Sequence, residues 1–485
     1  MSTISQITKN AAAAFEEYIL VSNGARAAFL ESIADNIEAL GDALLEQANK
    51  ETKLPIPRLQ GERGRTCYQL RMFAAMLQKG DYVEACIDTA IPEKVPAKPD
   101  IRSMHFPIGP VVVFGASNFP FAYSTAGGDT ASALAVGCSV IVKAHPAHLA
   151  TSTLVATAIQ KAIVGHRMPT HVFQHVTATD FEAGKALVQD EQIAAVGFTG
   201  SRNGGRALLD YANSRQHPIP VFSEMGSVNP VLLLEDSLQK EGASIAKNYA
   251  GSITFGVGQF CTIPGILIGV KSDALSNFAT QLATEMNAVS PAPMLHAGIQ
   301  KAYHENSRIA LAQVGTINLT EKNPEVATAY PVLATVDGKA FLSNPLLADE
   351  VFGPYSILIQ CDSITELQAV WVSLKGQIST TIMGTDKDFE QNPSILQKAF
   401  LLAGRVLLNG VPTGVEVCDS MVHGGPYPAT TDSRFTAVGV RAAKRWLRPV
   451  AYQNWSNHLL PAALKNENPL NIFRTINGNL TKEKV

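Results

Sequence analysis

A chain of 485 residues with 46% apolar side chains is too long for one ordinary hydrophobic core and apolar enough to build two or three. Its 39 Lys and Arg against 42 Asp and Glu give a net charge of -3, which offers no electrostatic case for nucleic acid or an anionic membrane. Six scattered cysteines without a Cys-x-x-Cys pair suggest neither a zinc site nor a disulfide framework, so no metal is expected.

The N-terminus, Met1-Ser2-Thr3-Ile4-Ser5, lacks the basic-then-apolar order of a signal peptide, and a cytoplasmic address is expected. Leu30, Ile33, Ile37, Leu40 and Leu44 recur at steps of three and four, predicting one amphipathic helix that ends near Lys50. Pro92 to Pro99 is proline-rich and charged, and reads as an exposed connector or edge hairpin. From Pro110 onward short apolar runs alternate with helical stretches: Val111 to Phe114, Val140 to Val142, His171 to Val176, Ala194 to Phe198 and Val221 to Ser223. That alternation predicts a parallel sheet covered on both faces. Val231 to Leu234, Ile266 to Ile268 and Val406 to Leu408 open a second α/β unit, with the boundary just after Glu224. Base and nucleophile candidates would then face each other across a domain interface.

The stretch Gly258-Gln259-Phe260-Cys261 carries the nucleophile candidate. A lone cysteine most often packs as a small apolar side chain. Here a carboxylate upstream, in Phe222-Ser223-Glu224-Met225-Gly226-Ser227, ends a β-like run. A thiolate adds to a carbonyl carbon and can hold an acyl group as a thioester. Glu224 can then activate the hydrolytic water as general base. Asn118, in Phe114-Gly115-Ala116-Ser117-Asn118-Phe119-Pro120, can donate a side-chain N–H to the developing oxyanion together with the Cys261 backbone N–H. Gly200-Ser201-Arg202-Asn203-Gly204-Gly205 follows a strand and opens a helix, so its backbone N–H groups suit a pyrophosphate. Its spacing is neither the Gly-x-Gly-x-x-Gly fingerprint nor a Walker A loop, since Arg206-Ala207 occupies the Lys-Ser/Thr position.

With Glu350-Val351-Phe352-Gly353-Pro354 further on, these stretches stand in the order found in the aldehyde dehydrogenase superfamily, which the chain resembles from roughly residue 20 to residue 455. The resemblance implies an α/β fold with a Rossmann-like cofactor domain over 1–226, including an arm hairpin near 89–108. It further implies an α/β catalytic domain over 227–420, and a C-terminal segment with a small oligomerisation arm over 421–485. The residues after Pro461 are expected to be a surface tail, and the assembly a homodimer or homotetramer. Cys261 takes the nucleophile's part and Glu224 the base's, which argues against a coenzyme A-acylating branch. Gly200, Ser201 and Gly205 fall at the cofactor phosphates. Lys143 matches the lysine on the adenosine ribose, and Glu350 and Phe352 match the pair on the nicotinamide ribose and ring. Three residues after Lys143, Pro146 replaces a glutamate that binds the ribose hydroxyls and would repel a 2′-phosphate, so NADP is expected to be accepted besides NAD. His145 and His148 flank that position as further phosphate candidates.

Two segments narrow the resemblance to the 2-oxoglutarate semialdehyde (2,5-dioxopentanoate) dehydrogenase branch: Arg58-Leu59-Gln60-Gly61-Glu62-Arg63-Gly64-Arg65-Thr66 and the run His423-Gly424-Gly425-Pro426-Tyr427-Pro428 through Arg434. The alternative branch, NADP-preferring long-chain fatty aldehyde dehydrogenases, shares a similar His-Gly-Gly-Pro-Tyr-Pro stretch. The first substrate requires a cation at the far end of the tunnel, for which Arg65, Arg71 and Arg434 are candidates, and the second an apolar tube. A catalytically silent binding protein on the same fold is the reading of another class, and intact Cys261, Glu224, Asn118 and Glu350 speak against it.

Overall fold

The protein is described by a computed structural model over residues 3–321 and 328–485. Five parallel strands form the first sheet, in the spatial order Phe173–Val176, Val140–Lys143, Val111–Phe114, Ala195–Thr199, Val221–Glu224. Successive side chains of a strand point to opposite faces. Val111, Val113, Val140 and Val142 accordingly join a core with the helices Asn23–Glu38 and Ile56–Lys79, while Val112 and Ile141 join Ala11 and Leu187 on the other side. Unbroken valine and isoleucine runs are the signature of such two-sided burial.

The second sheet has seven strands, ordered Ile317–Asn318, Val332–Asp337, Tyr355–Cys361, Ile266–Val270, Val231–Leu233, Gln377–Met383, Ala403–Leu408. All its neighbours pair parallel except Ile317–Asn318 with Val332–Asp337. A third sheet joins Cys86–Asp88, Ile101–Pro107 and Leu447–Gln453 to two short strands near the C-terminus. The 92–97 stretch between its first two strands is exposed, as its prolines and charges predict. Among the described residues no helix is long and apolar enough to cross a membrane.

Two expectations need correction. The predicted single helix is two, Asn23–Glu38 and Gly41–Thr52, because the chain turns at Gly41 with φ +59°, while the apolar stripe continues across the break. The residues after Pro461 are not a tail. Ala463, Leu464 and Ile472 pack with Val83 and Ile87, and Arg474–Ile476 pairs parallel with Cys86–Asp88. Arg474 is fully buried, and its guanidinium donates to the carbonyls of Lys465, Asn466 and Glu483.

At the junction of helix and sheet, Glu62 from Ile56–Lys79 accepts the backbone N–H groups of Phe121 (2.8 Å) and Ala122 (3.0 Å) through one carboxylate oxygen. This anchors the turn that carries Asn118. Burial pushes the Glu62 carboxyl up to about 7, against the two backbone donors and the nearby Arg58 and Arg65. A carboxyl raised on folding binds more protons in the folded than in the unfolded state, so its stabilising contribution declines as pH rises from its ordinary value through about 7. Glu62→Gln keeps an acceptor for both N–H groups and removes this titration. The melting temperature of the wild type should fall more steeply than that of Glu62→Gln between about pH 5 and about pH 8; parallel curves would remove Glu62 as the source.

Candidate active site

Cys261 follows a short helical turn, Phe255–Gly258, in which Gly256 and Val257 take left-handed backbone angles. Gly258, at φ +63°, leaves no room for a side chain: a Cβ there would lie 2.1 Å from the Gly353 carbonyl carbon. Gln259 is buried, with its side-chain amide donating to Gly256 O (3.1 Å) and its oxygen accepting from Leu295 N (3.0 Å). The Gly-Gln pair therefore shapes the loop that presents the thiol.

Glu224 ends the last strand of the first sheet and is 4% exposed. A later stretch of chain lies alongside that strand: Met225 N donates to Ala429 O (2.7 Å), Ser223 N to Thr431 Oγ1 (2.9 Å) and Thr431 N to Ser223 O (3.1 Å). The same stretch brings in His423, which is fully buried. One ligand atom each of Glu224, Cys261 and His423 lies within 4.8 Å of the others. His423 Nε2 sits 3.4 Å from Cys261 Sγ in hydrogen-bonding geometry and 3.0 Å from Glu224 Oε1, off the bonding direction. Neither Glu224 oxygen accepts a hydrogen bond among the described residues, and with Oε1 at ion-pair distance from His423 it is Oε2 that is left for a water. In the sequence His423 belongs only to a segment that resembles two branches; its contact with the thiol arises from a tertiary return that no local pattern encodes.

Asn118 stands on the other side of the loop, its Nδ2 donating to Gln259 O (3.1 Å), with a second N–H on the same nitrogen to offer. Its carbonyl accepts from Arg58 Nη2 (2.8 Å), and the Arg58 guanidinium lies 4.6 Å from the Phe260 ring centroid.

The cofactor candidates line one side of the first sheet. Lys143 ends its strand nearly buried, and burial lowers its ammonium pKa against the opposing charge of Asp180. Pro146 is exposed two residues beyond Ala144. Ser201 caps the helix Arg202–Asn213 by accepting from Gly204 N (3.2 Å), leaving the exposed N-terminus open to an anion. Gly205 lets that helix close on the sheet, since a Cβ would meet Met225 Cγ at 2.7 Å. Glu350 packs against Gly226, where a Cβ would stand 2.1 Å from its carboxylate oxygen, and burial pushes its carboxyl up to about 7 against the Ser227 backbone bond. Glu350, Phe352, Gly258 and Phe260 line one cleft. The open helix N-terminus is of the kind that takes a phosphate, and the Glu350 carboxylate in this cradle offers acceptors to ribose hydroxyls, a donor set that suits a dinucleotide.

Several candidates fall elsewhere. His148 is fully buried with Nε2 on Ala116 O (2.8 Å), and His145 stacks on it with its pKa pushed down to about 3 by burial and by His148, His296 and Lys143. Arg71 is exposed and bound to Asp35 and Glu38. Arg434 is also exposed, and its guanidinium is held by Asp432 at 2.5 Å. Arg65 is part-buried, donating Nη1 to Val415 O (2.5 Å), while its buried Nε lacks a partner among the described residues.

Gly226→Ala tests the cradle. The added methyl must displace the Glu350 carboxylate, so the KM for dinucleotide should rise at least about tenfold while Cys261 keeps its reactivity toward iodoacetamide. An unchanged KM would separate Glu350 from the cofactor.

Residues 1–388 match the model of the aldehyde dehydrogenase family. The chain is 46% identical to the alpha-ketoglutaric semialdehyde dehydrogenase of Acinetobacter baylyi, over 99% of this chain and 92% of the relative. It is 48% identical to alpha-ketoglutaric semialdehyde dehydrogenase 2 of Azospirillum brasilense, over 96% and 89%. Among solved structures, gamma-glutamyl-gamma-aminobutyraldehyde dehydrogenase from Burkholderia cenocepacia superposes with a TM-score of 0.78 at 19% identity, over 93% of this chain and 88% of that one. GapN from Methanocaldococcus jannaschii, a glyceraldehyde-3-phosphate dehydrogenase complexed with NADP, gives 0.77 at 20% identity over 93% of each chain. With a family match over most of its length and near-full-length relatives well above 40% identity, the chain belongs to the aldehyde dehydrogenase family.

Proposed function

We propose that the protein oxidises 2-oxoglutarate semialdehyde to 2-oxoglutarate through a thioester on Cys261, with NADP accepted at least as well as NAD. The observation that supports the chemistry best is the buried Glu224 carboxylate, which is clustered with Cys261 and keeps Oε2 clear of any donor among the described residues. The Cys261 thiolate attacks the aldehyde carbon, and Asn118 Nδ2 donates to the oxyanion that forms. The bound dinucleotide supplies the hydride acceptor; Lys143, Gly200, Ser201, Gly205, Glu350 and Phe352 would hold it. Glu224 then takes a proton from the water that attacks the thioester carbon, the C–S bond breaks, and the carboxylate product leaves. Pro146 puts no carboxylate beside a 2′-phosphate, and the ratio of kcat/KM for NADP and NAD measures this directly; a strong preference for NAD would overturn it.

Cys261→Ala should lose turnover by at least about a thousandfold with dinucleotide binding retained. Glu224→Gln, given one turnover at alkaline pH, should accumulate the acyl adduct on Cys261 in an intact-mass measurement. Turnover in Cys261→Ala near the wild-type value would end the thioester assignment, and free enzyme after Glu224→Gln turnover would take Glu224 out of hydrolysis.

The substrate rests on the two relatives and on a cation packed on the Phe260 ring, one residue before Cys261. Arg58 is held between Phe119 and Phe260 and has no carboxylate hydrogen-bonded to it; its buried Nη1 lacks a partner among the described residues. Burial lowers its pKa, opposed by Glu62. A partly desolvated guanidinium packed on the loop that carries the nucleophile suits the distant carboxylate of a short semialdehyde. Arg65, on the next turns of the same helix, is a second anchor, and exposed Arg434 the least suited. Losing such a charged contact costs about 2 kcal/mol or more, so Arg58→Met should raise KM for 2-oxoglutarate semialdehyde roughly thirtyfold more than KM for hexanal. Wild type preferring a long-chain aldehyde would overturn the substrate; equal losses for both aldehydes would remove only the anchor.

For the assembly we propose a homo-oligomer. Ala403–Leu408 is an edge strand of the seven-stranded sheet with Val406 and Leu408 exposed, next to exposed Phe400 and Leu401. An apolar, unpaired edge of this kind is a template for a second chain. The mass in solution by light scattering decides it, and a monomer would refute it.

A further inference from the structure

The site contains one ionisable group that the reaction as written above does not use. His423 is fully buried, and its Nε2 is 3.4 Å from Cys261 Sγ and 3.0 Å from Glu224 Oε1. It lies past residue 388, outside the part of the chain that matches the family. Its backbone is fixed on both sides, by His423 N donating to Thr436 Oγ1 (2.9 Å) and Ala437 N donating to His423 O (2.8 Å), so the ring is presented rather than left to wander. The side chain also lines a small cleft with Phe222, Ser223, Glu224, Thr430 and Thr436.

We propose that His423 is the base that ionises Cys261, and that Glu224 holds the resulting imidazolium. The proposal rests on the thioester reading above. The thiol S–H proton moves to Nε2, giving a thiolate and an imidazolium with no change of net charge. The thiolate forms the C–S bond and is released again when the thioester is hydrolysed, so the proton can stay on His423 through the cycle. Glu224 is then free to take its proton from water alone. A division of labour follows: without His423, one carboxylate would have to deprotonate the thiol and afterwards the water, and it would first have to pass the thiol proton to solvent from a buried position.

Electrostatics favour this arrangement. A carboxylate by itself disfavours an adjacent thiolate, because like charges repel at short range. A cation set between them reverses that sign. Burial works against charging the ring, yet Glu224, Tyr123 and Cys261 together lift the His423 pKa well above its ordinary value. The other charged groups around it are already engaged. Arg445, which lines the cleft, is paired with Asp129 at 2.7 Å, and Asp432 is paired with Arg434. Tyr123 lies with its ring centroid 6.4 Å from that of His423. Arg405, a further cation that feels the Cys261 charge, donates its Nη1 to the carbonyls of Pro412 and Gly414 at 3.2 Å.

The test follows alkylation of Cys261 by iodoacetamide across pH, read by peptide mass so that Cys86 and Cys418 do not contribute. The wild-type midpoint should lie at least about one unit below the ordinary thiol value of about 8.5. In His423→Gln and His423→Asn the midpoint should move to or above that ordinary value, and alkylation near neutral pH should slow at least about tenfold. Melting temperature and retained dinucleotide binding separate this from a loss of structure. A wild-type midpoint at or above the ordinary value overturns the proposal, and so do folded His423 variants that keep the wild-type midpoint. Should both variants fail to fold, Arg405→Gln and Arg65→Gln decide: the wild-type midpoint must survive both, and a shift to the ordinary value in either transfers the role to that arginine. Because alkylation needs no aldehyde, a failed substrate assignment leaves this result standing, and a wild-type protein without dehydrogenase turnover marks failure of the thioester reading instead.

Discussion

The distance between base and nucleophile depends on one buried asparagine. Asn229 is fully buried and takes a left-handed backbone angle, φ +42°. Its Nδ2 donates to Cys261 O and to Ile263 O, both at 2.9 Å. Its Oδ1 accepts from Ser379 Oγ (2.8 Å) and Ser227 Oγ (3.0 Å). Gln377 completes the junction by accepting from Val228 N (2.8 Å) and Ser227 Oγ (2.9 Å). The chain leaving Glu224 is thus fastened to the loop carrying Cys261 and to the middle of the second sheet. A network whose members are all satisfied is rigid, and removing one leaves buried donors unpaired at about 1–3 kcal/mol each. Such a junction holds two groups from different sheets in register better than apolar packing, which is non-directional.

Much of the fold was legible in the sequence because its strands are buried on both faces. Val111 to Phe114 and Val140 to Val142 needed no partner to be read as parallel strands. Elements that depend on distant pairing were not legible. Tyr355–Cys361 and Gln377–Met383 are interior strands of the second sheet but carry Ser356, Gln360, Ser379 and Thr381 among their apolar residues, which blurs the pattern. The C-terminal strands were missed because Arg474-Thr475-Ile476 looks like solvent-facing chain until its guanidinium finds three carbonyls.

The site divides in the same way. Cys261, Glu224 and Asn118 are each marked by a local setting, a glycine, a strand end or a turn, and the structure brings all three to one place. Arginines have no such marking: a guanidinium is equally at home on Asp432, as Arg434 is, or between two phenylalanines, as Arg58 is. His423 was visible as a residue but not as a neighbour of the thiol, since that contact is made by chain 162 positions away.

Glu62 and Glu350 are both pushed up to about 7 by burial, and Arg58 is held with a buried nitrogen that has no partner among the described residues. A protein selected only for stability would replace such groups with apolar ones of similar shape. All three hold segments of the candidate site: Glu62 fixes the Asn118 turn, Glu350 faces Gly226, and Arg58 stacks on Phe260. Destabilising charge at such segments is what a site completed by ligands would retain, and buried groups with shifted protonation are the usual mark of one.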